Sequence, residues 1–240
     1  LQAGRQIAAE VDLHDAVVVV PADLSSPARA AVDLLVGEVS RRSGLRWAVT
    51  AAPAARPGAI VVGARRASLA AEGYAIETQL SSARITITPA DDRGLLFGLG
   101  HLLRTLQLGP GRAGLAAPLI VEAAPRYPLR GVQLGFRAMS NTYGNWGPAE
   151  FEQQIRDLAV FGCNAIELVA GFDRESPETL TMPAIENLAA VSGVSARYGL
   201  DVWLWTPARE KNYADPAAVA RTLAEWEKIF RRLPCLDGIY

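Results

Sequence analysis

The chain has 240 residues, half of them hydrophobic and a fifth charged, which is ample material for a core, more length than most single domains use, and excludes a disordered chain. Its net charge is −1, from 24 Lys and Arg against 25 Asp and Glu, and no basic run could track a phosphate backbone, so nucleic acid is excluded as a partner. No stretch approaches the roughly 20 apolar residues of a membrane helix, so no membrane partner is expected.

The first element is the β-branched run "AVVVV", residues 16–20, closed by Pro21. In "SSPARAAVDLLVGEVSRRSG" Ser26 can cap a helix and Pro27 can take its first position. Ala31, Leu34, Leu35 and Val39 recur at helical spacing, and Gly44 is a natural stop. "RWAVT" and "AIVVG" read as strands, and "YAIETQL" and "RITITP" alternate around a Ser-Ser turn as a hairpin does. "DDRGLLFGLGHLLRTLQL" reads as a helix started by Asp91 or Asp92, with an apolar face of Leu95, Leu99, Leu102, Leu103 and Leu106. "GPGRAGLAAP" breaks the pattern and "LIVEAAP" resumes it. Residues 1–125 are therefore expected to form a small α+β domain with a helix laid on a sheet.

From Arg130 strand and helix alternate: "GVQLGF", "PAEFEQQIRDLAVFG", "NAIELV", "MPAIENLAAVSGVSARYG", "DVWLW", "PAAVARTLAEWEKIFRRL", "LDGIY". Four strands with three intervening helices open a parallel α/β fold. No glycine-rich phosphate loop follows the first strand, which favours a (β/α)8 barrel over a nucleotide-binding sheet. Such a barrel takes about 250 residues; residues 126–240 are expected to be its first half, strands one to four, of a longer protein.

Cys163 and Cys235 lie far apart in apolar surroundings and read as free buried thiols. His14 and His101 have no partner at metal spacing, so no metal and no other cofactor is expected. The chain begins at Leu1 without methionine, which favours a removed export signal, and so a secreted or periplasmic protein, over a cytoplasmic one.

Residues 72–106, "EGYAIETQLSSARITITPADDRGLLFGLGHLLRTL", resemble the hairpin and helix of the small N-terminal domain of family 20 glycoside hydrolases, the β-N-acetylhexosaminidases. There a "GY" strand, an "I-T-I" strand and a "D-x-x-G-L-x-x-G-L-x-x-L" helix precede a TIM barrel. "PRYPLRG" resembles the family's entry into the first barrel strand, and "FGCNAIEL" its second-strand "N-x-x-x-L". The resemblance implies a bacterial glycoside hydrolase fold with Arg130 binding sugar hydroxyls. The family's first-strand aspartate is replaced by Gly135, its second-strand "H-x-x-D-D" by "ELVAGFD", and its third-strand "P-G-H" end by "TPAREKNY". Its acid pair follows the fourth strand and would lie beyond Tyr240, so no catalytic residue is expected within these residues. The same layout occurs in α-glucuronidases, and "GVQLGFRAMSNTYGNW" looks closer to enzymes near that group.

In such a barrel the residues after each strand surround the mouth of the site. Asn141, Tyr143, Asn145 and Trp146 follow strand one; Asp173, Arg174 and Glu175 follow strand two; Arg209, Glu210, Lys211, Asn212 and Tyr213 follow strand three. Amides, carboxylates, arginine and flat aromatic faces suit sugars, whose hydroxyls both donate and accept and whose C–H patches stack; Trp146, Trp205 and Tyr213 are the candidate platforms. Alternation turns Val132, Leu134, Phe136, Ile166 and Leu168 toward the helices and Gln133, Arg137 and Glu167 inward, where Glu167 and Arg137 could pair. The same parity turns Arg130 outward unless Gly131 marks a bulge.

The expected function is hydrolysis of O-glycosidic bonds in a carbohydrate substrate, β-N-acetylhexosaminidase-like or α-glucuronidase-like, with the present residues inactive alone. The rivals are a carbohydrate-binding or scaffold protein that keeps the fold without the chemistry, and a sugar-phosphate isomerase or aldolase.

Overall fold

The computed structural model describes residues 11–52, 57–134, 146–169, 184–206 and 210–239. The chain divides into two compact units, one running to Pro128 and including Ala159–Gly162, the other made of Leu129–Leu158 and Cys163–Tyr240. No helix among the described residues is long and apolar enough to cross a membrane.

The first unit contains β1 (Val11–Asp12), β2 (Val17–Val19), α1 (Ser26–Ser43), β3 (Ala48–Thr50), β4 (Ala59–Val62), β5 (Tyr74–Gln79), β6 (Arg84–Pro89), α2 (Asp92–Thr105), β7 (Gln107–Gly109), β8 (Arg112–Leu115) and β9 (Ile120–Ala123). Six strands form one sheet in the order β3-β2-β4-β6-β5-β9. The first four run parallel, and β5 is antiparallel to both β6 and β9. In β6 Ile85 and Ile87 are fully buried while the intervening residues are not, the alternation of a sheet with one face on the core.

Helix α1 starts one residue earlier than the sequence suggests. Ser25 has the extended backbone of a cap (φ −62°, ψ 162°) and its Oγ accepts from Ala28 N at 3.3 Å, whereas Ser26 is already helical. The helix ends at Gly44, whose φ of 77° is left-handed. Helix α2 is capped by Asp91, whose carboxylate accepts from Gly94 N at 2.8 Å and, with its other oxygen, from Glu72 N at 2.8 Å. All five leucines of its expected apolar face are buried. Two glycines one turn apart let α2 lie directly on the sheet. A Cβ on Gly94 would stand 2.2 Å from the Gly73 carbonyl oxygen, and one on Gly98 would stand 2.9 Å from Ile87 Cγ2.

The stretch that breaks the pattern in sequence is ordered. β7 and β8 form an antiparallel hairpin turning through Pro110 and Gly111 (φ 65°), and β1 pairs with β8 to complete a three-stranded sheet. Strands of two to four residues are too short to show a period.

The second unit contains β10 (Gly131–Leu134), α3 (Pro148–Val160), β11 (Ala165–Val169), α4 (Ala184–Arg197), β12 (Asp201–Trp205), α5 (Pro216–Phe230) and β13 (Gly238–Ile239). Its four strands are all parallel and lie side by side in chain order. This is the arrangement of the opening half of a (β/α)8 fold, and lacks the reversed order of a doubly wound sheet. Leu134, Ile166, Leu168, Val202 and Leu204 are at most 2 % exposed, so one face of the sheet is packed. Phe151 and Ile155 of α3 and Leu188 and Val191 of α4 are buried with them.

Asn164 ties the amino ends of three strands together. It is 1 % exposed, its Oδ1 accepts from Arg130 N at 2.8 Å, its own N–H donates to Arg130 O at 2.9 Å, and its carbonyl accepts from Asp201 N at 2.9 Å. Near β13, Asp237 does similar work: its carboxylate accepts from Val202 N at 2.8 Å while its N–H donates to Val202 O at 2.7 Å.

Both cysteines are free and partly buried. Burial, and then a hydrogen bond to the Asp237 carboxylate at 3.2 Å, pushes the Cys235 thiol up to about 11. Its thiolate is therefore scarce at ordinary pH. Alkylation of Cys235 by iodoacetamide at pH 8 is expected to run about a hundredfold slower in the folded chain than in the denaturant-unfolded chain, and to rise about tenfold per pH unit toward pH 11. Peptide mass spectrometry of timed samples checks this.

Candidate functional site

Because β10, β11 and β12 are parallel, the chain leaves all three at one edge of the sheet, at Leu134, Val169 and Trp205. Parity then separates the two faces. Leu134, Ile166, Leu168, Val202 and Leu204 share the packed face, and Gln133, Glu167, Trp203 and Trp205 have the opposite parity, where Gln133 is exposed and the other three are partly buried. Val132, expected to face the helices, is instead 37 % exposed and lies beside Gln133, and Ala165 and Val169 of the second parity are buried. Gln133, Glu167, Trp203 and Gly238 are aligned across the four strands in one register row.

Gln133, Glu167 and Trp203 of that row line a concavity of about 370 Å³, together with Leu129, Gly131, Val132 and Ala165. The indole of Trp203 lies against Gly238, where a Cβ would be 2.6 Å from Cε3 and 2.8 Å from Cδ2 and Cζ3. Only glycine leaves the ring this seat. Two polar atoms in the row are buried with no hydrogen-bond partner, Glu167 Oε1 and Trp203 Nε1. Native interiors rarely leave such atoms unpaired, and each costs about 1–3 kcal/mol.

Of the residues expected to bind substrate, Glu167 and Trp205 share this open face. Glu210, Lys211 and Tyr213 lie together after β12, with the Glu210 N–H donating to Tyr213 Oη at 3.4 Å and the Tyr213 side chain exposed. The Arg221 guanidinium of α5 donates to both Glu210 oxygens at 3.0 Å and holds this carboxyl below the usual carboxylate range. An ionised, chelated carboxylate has no proton to give, so Glu210 anchors its loop to α5. Trp146 packs edge-on against Phe151 at the start of α3, ring centroids 5.4 Å apart.

Arg130 stands at the amino end of β10, between Leu129 and Gly131 of the concavity. It precedes β10 with the parity of the packed face, and its charge acts on Cys163, opposing the larger upward push that burial gives that thiol. Arg137, Asn141, Tyr143, Asp173 and Arg174 lie outside the described residues, as does the anticipated Arg137 partner of Glu167. Trp203 was not among the expected site residues. The alternation in "DVWLW", two buried aliphatics alternating with two half-buried tryptophans, carries the signal that finds it. Among the described residues no three His, Cys, Asp or Glu side chains gather as a metal would require.

No protein-family model matches this chain, and no curated protein does. Solved structures do. The GH20 exo-β-N-acetylglucosaminidase from Vibrio harveyi, solved with N-acetylglucosamine, superposes with a TM-score of 0.65 at 12 % identity, over 95 % of this chain and 45 % of that one. The GH20 β-N-acetylhexosaminidase from Streptomyces coelicolor A3(2) gives 0.60 at 21 % identity, over 80 % and 42 %. A GH138 enzyme targeting pectin rhamnogalacturonan II gives 0.63 at 14 % identity, over 94 % and 30 %. The chain thus has the fold of part of the family 20 β-N-acetylhexosaminidases, and spans less than half the length of these proteins.

Proposed function

We propose that this chain is part of a glycoside hydrolase, that it supplies one side of a sugar-binding barrel, and that the sugar sits against the open face of β10–β13. The observation that carries the reading is the register row of amide, carboxyl and indole along one concavity, on the sheet face turned away from the helices. Such a row suits a polyhydroxylated ring, which needs donors, acceptors and a flat apolar surface within one small volume. The shared fold of three glycosidases supports the same reading.

Glycosidic cleavage in most families takes two carboxyl groups about 5–10 Å apart, one protonated and one not. Among the described residues the sole carboxyl lining the concavity is Glu167, and Glu210 is held by Arg221. The acid–base pair is assigned to chain that follows the fourth strand, where the family 20 layout has it. Purified residues 1–240 are expected to show no turnover of aryl N-acetylhexosaminides or aryl glucuronides, and the product of the complete reading frame is expected to hydrolyse one of the two. Turnover by the 240-residue chain alone sinks this allocation. Sugar binding by both proteins without turnover by either selects the non-catalytic reading.

A further inference from the structure

Building on the carbohydrate reading above, we infer that Arg221 is a positioning residue: acting through Glu210, it fixes the loop after β12 so that the ring of Tyr213 is held as a stacking surface for sugar. The chain leaves β12 at Trp205 and enters α5 at Pro216. Residues 210–215 therefore lie at the carboxyl edge of the parallel strands, the edge at which (β/α)8 enzymes bind their substrates.

This short loop is bonded along its length. The Glu210 N–H donates to Tyr213 Oη at 3.4 Å, Asn212 Oδ1 accepts from Ala214 N at 2.9 Å, and the Asn212 carbonyl accepts from Asp215 N at 3.3 Å. Asp215 then caps α5, accepting from Ala217 N at 3.0 Å. At the first residue of the loop, Arg221 from the second turn of α5 donates to the Glu210 carboxylate through Nε and Nη2, at 3.0 Å each. Two parallel bonds from a planar fork fix orientation as well as distance, which a lysine ammonium in the same place would not do.

An ordinary surface bridge is the competing account. Exposed ion pairs contribute little to stability, and this one joins side chains that are 60 % and 26 % exposed. What sets it apart is the group that the anchored loop carries. Tyr213 is 42 % exposed and sits in the turn that begins at Glu210. A loose loop would give that ring many orientations; a tied one gives it few, and a ring already oriented binds without having to be ordered first. Its face suits the C–H patch of a pyranose, whether the sugar is neutral or charged.

The experiment uses the protein expressed from its complete reading frame, with N-acetylglucosamine and glucuronate as probes and the calorimetric Kd as the readout. Tyr213→Ala is expected to weaken the tighter-bound probe about tenfold. Arg221→Met, which keeps an aliphatic stem and removes the fork, is expected to weaken it about threefold while the melting temperature stays within about 2 °C of the parent. The double variant is expected to bind no more weakly than Tyr213→Ala alone, because a residue that acts through Tyr213 then has nothing left to position. Additive losses in the double variant, or an Arg221→Met protein that binds as the parent does, overturn the positioning role. Parental binding by Tyr213→Ala overturns the stacking surface, and in each of these cases the carbohydrate reading stands. Failure of both probes to bind the parent overturns the inference and that reading together.

Discussion

A Gly94→Ala chain is expected to melt about 10 °C below the parent, a loss of about 3 kcal/mol or more from the first unit. Helix propensity alone predicts the reverse, because alanine in place of an interior glycine favours a helix by about 1 kcal/mol. Packing decides the sign. The added methyl would stand 2.2 Å from the Gly73 carbonyl oxygen and 3.2 Å from its carbon, and both are backbone. That backbone cannot retreat cheaply. Asp91 holds Glu72 N and Gly94 N with its two oxygens, and Ala90 N donates to Gly73 O at 2.9 Å. Gly98→Ala meets the side chains of Ile87 and Tyr74 instead, and is expected to cost about half as much. Thermal and urea unfolding of the three chains checks the ranking, and a Gly94→Ala chain as stable as the parent would show that α2 does not rest on the Gly73 peptide.

The second large effect belongs to Asn164→Ala. The substitution removes the acceptor of the Arg130 N–H and leaves a small void at a position 1 % exposed. Losing a buried partner and its packing together costs about 2–4 kcal/mol. The loss is local to the amino ends of β10, β11 and β12, so hydrogen exchange at Arg130 and Asp201 should quicken before the helices of the second unit respond. Gln153→Ala on the exposed side of α3 serves as the control and is expected to change stability by less than about 0.5 kcal/mol. If Asn164→Ala unfolds with the control, the three strand ends are held by their backbone ladder alone.

Legibility in the sequence follows the length of each pattern. The leucine stripe of α2 and the β5–β6 hairpin run long enough to declare a period, and each has its expected faces in the structure. The alternation expected of β10 fails at Val132, which is 37 % exposed and lines the concavity beside Gln133, and in β11 Ala165 and Val169 are buried along with Ile166 and Leu168, because short strands at the rim of a sheet do not have one dry and one open face. The β1-β8-β7 sheet does not, because its strands are short and its turn residues look like a plain interruption. The cap of α1 was ambiguous because two serines stand side by side, and only the backbone angles of Ser25 separate them. Long-range partners were invisible as well. Nothing in the sequence tells that Arg221, eleven positions away and on the next helix, takes both oxygens of Glu210, or that Asn164 reaches the Arg130 peptide. Within the candidate site, Glu167 and its inward direction were readable from parity. Trp203 required the same alternation to be carried into the third strand, and its lack of a partner required coordinates.

Gly238 contributes no side chain, yet it decides where the largest side chain of the row can rest. With nothing but hydrogen on its Cα, the neighbouring bicyclic ring lies over its backbone. A methyl there would stand inside the ring's contact distance and push the indole away, and with it one wall of the concavity. The placement of that wall is thus written at a position that itself makes no chemistry, on the shortest strand of the sheet.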